Sequence, residues 1–202
     1  MLSTKHNFLF IHIPKTGGNS IQRVLLPLSD DCMALTGPHH DGIDRFEIRS
    51  SKLDIHKHST LEDYRRQISH DSFSRLFKFA CVRNPWDRCV SFFFSPHRGR
   101  VEWSLTAFSD FIERSVRPQS DYLRLTGQDE DPFDNIDYIL RFEKLSENFF
   151  DLCSKIGIKS HTLPVHNKSN HEDYRFYYKS NEVIELVYNK FNEEIKRFKF
   201  EF

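Results

Sequence analysis

Along the chain, apolar residues fall into short unbroken runs that alternate with longer segments in which they recur every three or four positions. Phe8 to Ile13 is one such run, closed by Pro14 and the pair Gly17-Gly18. From Ser20 to Leu28 the apolar positions Ile21, Val24, Leu25 and Leu28 then take helical spacing. The pattern predicts a buried strand, a tight loop and a helix. Leu76 to Val82 repeats the first half of it: Phe77, Phe79, Ala80, Cys81 and Val82 leave only Lys78 polar, and the run stops at Arg83-Asn84-Pro85-Trp86. Proline is tolerated in a first helical turn, where its missing donor would be unpaired anyway, so Pro85 is expected to open a helix through Phe94.

The remaining segments extend this alternation. Ser29 to Ser51 carries Gly37-Pro38-His39-His40-Asp41-Gly42 and little periodicity, so a long surface connection near the site is expected there. Leu53 to His56 reads as a short strand, and Ser59-Thr60-Leu61-Glu62 as the capping signal of a helix from Leu61 to Ile68. Thr106 to Ser115 predicts a helix, Ile136 to Phe142 a third strand, and Leu145 to Ile156 a helix ended by Gly157. Ser180 to Phe198 reads as one further helix from the spacing of Val183, Ile184, Val187, Tyr188, Phe191 and Ile195. Strands alternating with helices favour a mainly parallel sheet covered on both faces, an α/β fold of three layers.

Composition narrows the class. A length of 202 residues suits one domain, expected to span residues 1–202, and 38% hydrophobic against 29% charged residues indicates a soluble globule. Twenty phenylalanines against seven glycines point to an aromatic core. With 29 basic and 29 acidic residues there is no global field to attract nucleic acid or an anionic membrane, so any anion site must be built locally. The four cysteines, Cys32, Cys81, Cys89 and Cys153, show neither zinc-site pairing nor the density of a disulfide scaffold, and read as buried thiols in a reducing compartment. Phe8 to Ile11 is too short for a signal-peptide core or a membrane span, which makes the expected location cytoplasmic. An excised lumenal catalytic domain would read the same way.

The chemistry concentrates at the two strand-to-helix junctions. Ile13-Pro14-Lys15-Thr16-Gly17-Gly18-Asn19-Ser20 combines helix N-terminal donors, small residues, a lysine and two hydroxyls, the makings of a phosphate or sulfate cradle. The nucleoside-triphosphate loop G-x-x-x-x-G-K-[ST] places lysine after its last glycine, whereas Lys15 precedes Gly17 and Gly18. The order Pro-Lys-Thr-Gly-Gly-x-Ser after a strand resembles instead the 5′-phosphosulfate loop of the carbohydrate sulfotransferases, including the heparan 2-O and chondroitin 4-O types. Phe79 to Ser91, with Arg83-Asn84-Pro85-Trp86-Asp87-Arg88, resembles the 3′-phosphate segment of the same enzymes. The resemblance implies a P-loop-like fold and 3′-phosphoadenosine-5′-phosphosulfate as co-substrate. It assigns Lys15, Thr16, Gly17, Gly18, Asn19 and Ser20 to the 5′ end, and Arg83 and Ser91 to the 3′-phosphate. His166-Asn167-Lys168-Ser169 resembles the family's C-terminal loop and adds Lys168 as a nucleotide contact. One departure is Asn19, where the family usually has threonine; its backbone donor is unaffected.

Sulfuryl transfer requires acceptor oxygen, sulfur and leaving oxygen in line, with charge neutralised at the leaving phosphate, a role that falls to Lys15. Nothing in this scheme calls for a metal. The acceptor hydroxyl needs a base, and among eleven histidines the stretch Asp54-Ile55-His56-Lys57-His58-Ser59 is preferred, His58 first and His56 second. Its His-x-His spacing resembles the heparan 2-O pattern, and on a regular strand both side chains would share one face. His12 reads as a hydrogen-bonded core residue. The resemblance implies a carbohydrate or other hydroxyl acceptor as partner. Two other classes compete: a P-loop-type kinase or nucleotide hydrolase, which would need a magnesium-binding carboxylate at a strand end, and a non-enzymatic module binding nucleotides or sulfated glycans, which the balanced charge disfavours.

Overall fold

A computed structural model of the chain describes residues 1–38, 44–95, 98–159, 162–163 and 172–202. The central sheet has four strands in the order β1 (Leu2–Ser3), β2 (Phe8–Ile11), β5 (Phe77–Val82), β6 (Tyr138–Arg141). β2 pairs with β5 and β5 with β6 in parallel, while the short β1 runs antiparallel to β2. The result is the expected α/β fold, a mixed and mostly parallel sheet flanked by helices. All four residues of β2 are fully buried, which requires cover on both faces of the sheet. Phe10 and Phe79, neighbours in register on β2 and β5, stack at 5.1 Å between ring centroids, so part of the phenylalanine content goes into holding these two strands together. Burying each such ring contributes about 1.5–3 kcal/mol.

Helices α1 (Gly18–Leu25) and α4 (Pro85–Phe93) follow β2 and β5 directly, so both predicted strand-loop-helix junctions lie at the same end of adjacent parallel strands. That end is where parallel α/β sheets bind ligands. Asn84 caps α4, its side chain accepting from the Trp86 and Asp87 amides, with Pro85 in the first turn. The other helices are α2 (Leu61–Arg65), α3 (His70–Arg75), α5 (Leu105–Ser115), α6 (Leu145–Lys155), α7 (Asn181–Lys190) and α8 (Asn192–Phe198). None among the described residues is long and apolar enough to cross a membrane.

Several expectations are corrected. Ser29 to Ser51 is not an irregular connection but contains an antiparallel hairpin, β3 (Cys32–Pro38) and β4 (Asp44–Arg49), whose turn lies outside the described residues. Phe46 and Ile48 alternate with Arg45, Glu47 and Arg49, and both apolar side chains are buried. That five-residue alternation is a strand signal masked by the polar composition around it. Leu53 to His56 forms no strand: the Ile55 amide bonds the Leu53 carbonyl, and the Ser59 amide bonds the His56 carbonyl. The Ser59 hydroxyl accepts from the His56 amide, so Ser59 closes this turn, and the capping box belongs to Thr60 and Asp63. The C-terminal helix is two helices, broken at Phe191 with φ −114 and ψ 29, where the ring is buried. Helix α3 carries a single buried residue, Phe73, too little apolar periodicity to be read in advance. Cys81, Cys89 and Cys153 are buried free thiols as expected, but Cys32, on β3, is exposed.

Candidate active site

The first loop is shaped by two glycines with different reasons for being glycine. Gly17 takes φ 85 at the N-cap of α1, and a Cβ there would come 2.7 Å from Leu145 Cδ2. Gly18 has ordinary backbone angles, but a Cβ on it would lie 2.0 Å from His12 Cδ2. The loop thus closes down on the imidazole of the residue that enters it. Lys15 also sits at positive φ, 70°, a conformation disfavoured for a residue with a Cβ. No side chain caps α1, and among the described residues the N–H groups of Gly17, Gly18 and Asn19 have no acceptor, while Ser20 N–H turns back to the Gly17 carbonyl. Such a run of unpartnered donors at a helix N-terminus is suited to receive an anion. The Thr16 hydroxyl is used inside the loop, donating to the Ile13 carbonyl at 2.8 Å.

The second junction reaches across to the first. Arg83 is 7% exposed; its Nη1 donates to the Lys15 carbonyl at 3.1 Å and its Nε to Asp87 at 2.7 Å. The guanidinium lies over the Phe142 ring, 4.1 Å from its centroid, which fixes its plane. Arg45 on β4 and Arg83 both press their charge on Lys15, and with burial as the leading cause they lower the Lys15 ammonium to about 8. Cations crowded at a spot whose nearest backbone donors are unpaired indicate an anionic ligand.

His58 completes the cluster. Its Nδ1 donates to the His12 carbonyl at 3.0 Å, leaving Nε2 with the lone pair, and its ring lies 4.5 Å from the His12 ring. Burial, and then the Lys57 charge acting against the His12 hydrogen bond, hold it at about 4, so the free chain carries it as a neutral acceptor. His12 Nδ1 bonds Gln22 Oε1 at 2.9 Å, and burial keeps this imidazole neutral too. The core-residue reading of His12 is right as to burial, yet its ring is the wall against which Gly18 and His58 pack.

The predicted residues are thus sorted. Lys15, Thr16, Gly17, Gly18, Asn19, Ser20, Arg83 and His58 belong to elements in mutual contact. Ser91 lies buried on α4, the helix that follows Arg83. His56 is exposed, and its Nδ1 accepts from the His58 amide at 3.1 Å, so the two do not share a strand face. The histidine paired with His58 is His12. Lys168, with Asn167, lies outside the described residues. Sequence reading missed Arg45, concealed with its hairpin, and Arg88, whose signal was a charge in a helix that also carries Trp86, Cys89, Val90 and Phe93.

A loop of unpaired backbone donors and a lysine, joined by an arginine from the next parallel strand, gives this α/β protein a site whose charge suits a ligand with more than one anionic group. The chain matches the model of the sulfotransferase family over residues 1–201 and belongs to that family, whose reaction is sulfuryl transfer. Among solved structures it is similar to a sulfotransferase from Alicyclobacillus acidocaldarius at 14% identity and a TM-score of 0.47, covering 96% of this chain and 94% of that one. No curated protein gives a significant match.

Proposed function

We propose that this chain, acting as one catalytic domain, transfers a sulfuryl group from 3′-phosphoadenosine-5′-phosphosulfate to a hydroxyl of a carbohydrate. The observation that carries the reading is the unpartnered donor run of Gly17, Gly18 and Asn19 beside Lys15, with Arg83 bonded to the same loop. The donor is anionic at both ends, and these residues offer it two fixed points: backbone N–H groups and Lys15 for the 5′-phosphosulfate, Arg83 and Ser91 for the 3′-phosphate. The glycines let this loop pack directly on Leu145 and His12, since a Cβ at either would meet those side chains under 3 Å away. In the transfer the acceptor oxygen bonds sulfur as the sulfur–oxygen bond to the 5′-phosphate breaks. His58 Nε2 takes the acceptor proton, and Lys15 neutralises the charge left on the phosphate. A multiply charged donor beside His58 raises its basicity from the low value of the free chain, because it opposes the Lys57 charge.

The test is calorimetric titration with 3′-phosphoadenosine 5′-phosphate in the absence of magnesium, comparing wild type with Lys15→Ala and Arg83→Ala. Binding by wild type and its loss in both variants supports the reading and opens a labelled-sulfate screen of glycan acceptors. A folded wild type that ignores this nucleotide but binds ATP with magnesium would replace the sulfotransferase donor by a kinase substrate.

A further inference from the structure

Behind the two anion loops lies a buried polar network for which the transfer itself has no use. Arg88, Gln119 and Glu194 are each fully buried. Gln119 is clamped face to face on the backbone of Arg83: its Oε1 accepts from the Arg83 amide and its Nε2 donates to the Arg83 carbonyl, both at 2.9 Å. Glu194 on α8 holds Gln119 in turn, its Oε1 accepting from the Gln119 amide at 3.1 Å and from Nε2 at 3.3 Å. Arg88 donates through Nε to the Pro14 carbonyl and through Nη1 to the Arg117 carbonyl, both at 3.0 Å. Glu194 and Gln119 therefore grip the second loop at Arg83, while Arg88 grips the first loop at Pro14; the two meet at the segment from Arg117 to Gln119, and Arg88 acts on Glu194 by charge alone. Burying three such groups is costly unless their bonds are needed, and two atoms of the set, Arg88 Nη2 and Glu194 Oε2, stay without a partner among the described residues.

We propose that Glu194 is a positioning residue of the donor site: through Gln119 its carboxylate holds the backbone of Arg83 at the distance from the first loop that a ligand anionic at both ends requires. The proposal rests on the donor reading above. A donor held at two points is sensitive to the spacing between them, since an error at one end must be absorbed at the other. The ionised carboxylate is the stronger acceptor for Gln119 and the only negative charge set against Arg88 in this network. The ionisable groups around it are Arg88 and Cys89 on α4, with Tyr122 and Arg83 beside Arg88 and Lys190 of α7 acting on Cys89. Burial raises the Glu194 carboxyl to about 7 against the opposing pull of Arg88, so its charge changes within the neutral range.

The test compares wild type with Glu194→Gln by titration with 3′-phosphoadenosine 5′-phosphate at pH 6 and pH 8. The ratio of the two affinities cancels the ligand's own titration. It should be near one at pH 6, where Glu194 is mostly protonated, and about tenfold in favour of wild type at pH 8, the difference between a charged and a neutral acceptor. Steady-state kinetics at pH 8 should show the loss in donor KM with kcat nearly unchanged. Thermal unfolding separates positioning from stability: a raised carboxyl pKa means the folded state loses stability as pH rises toward and through 7. Glu194→Gln, which carries no buried charge, should therefore melt no lower than wild type at pH 8 while binding more weakly. Gln119→Met cuts the link to Arg83; it should lose affinity at both pH values, and Glu194→Gln should add nothing in that background. Equal affinity of wild type and Glu194→Gln at pH 8 would overturn the positioning role and leave the donor reading intact. Additive losses in the double variant would do the same. A wild type with no affinity for the nucleotide at either pH would overturn both.

Discussion

Replacing Gly18 by alanine tests whether the loop is built around His12. The new Cβ would lie 2.0, 2.3 and 2.6 Å from Cδ2, Nε2 and Cγ of the His12 ring, well inside contact distance. The ring has little room to retreat: Gln22 holds Nδ1 at 2.9 Å, the Phe10 ring is stacked 5.9 Å away, and the His58 ring lies at 4.5 Å on another side. Overpacking of this kind costs about 1–3 kcal/mol. Against it stands the gain of replacing glycine by alanine in a helix, at most about 1 kcal/mol and less in the first turn. Gly18→Ala should therefore be destabilising in the wild type but neutral or slightly stabilising once His12 is also alanine, a reversal of sign rather than a partial rescue. Urea denaturation of the four members of this double-mutant cycle measures it, with an interaction energy of about 2 kcal/mol expected. The His12 carbonyl still receives His58 in the His12→Ala background, so the cycle isolates the ring. Equal costs of Gly18→Ala in both backgrounds would refute the reasoning and place the strain elsewhere in the loop.

Three further outcomes are expected. Lys15, held near 8 in the free chain, should rise in pKa beside a bound phosphate, so nucleotide binding at pH 8.5 should take up a proton and weaken as pH increases; titration in buffers of different ionisation enthalpy reads this, and Lys15→Met should abolish it. His58→Ala should lower kcat by about 10²–10⁴-fold with donor KM little changed, while His56→Ala, on the exposed side of the turn, should stay within about twofold; sulfate-transfer kinetics decide between them. Under native conditions a maleimide should label Cys32 alone, because burial raises the Cys81 thiol strongly and pushes Cys89 up to about 12, and peptide mapping after labelling checks it.

The elements that could be read in advance were those whose local pattern matches their burial. β2 and β5 are continuous apolar runs because both their faces are covered, and the Pro-Lys-Thr-Gly-Gly and Arg-Asn-Pro segments announce themselves by residues suited to turns, caps and anions. The β3–β4 hairpin was not legible: its signal is five alternating residues on one strand, in a stretch whose glycine, proline and histidine content reads as loop. The pairing of the proposed base was misread for a related reason. Two histidines two positions apart share a face only on a strand, and the hydrogen bonds of Ser59 bend this segment into a turn that exposes one and turns the other, half-buried, toward His12.

By itself, then, the sequence determined the α/β alternation, the two strand-to-helix junctions and the class of chemistry, because each depends on residues close together in the chain. Only the tertiary structure decided what faces those junctions: His12 against His58, Arg45 against Lys15, and Glu194 behind Arg83. These partners come from elements far apart in the chain, and a hydrogen bond or a charge acts through space at a few ångströms whatever the sequence separation. A buried Arg88 or Glu194 looks in the sequence like any solvated charge, and burial, which changes its ionisation and its use, is a property of the assembled fold.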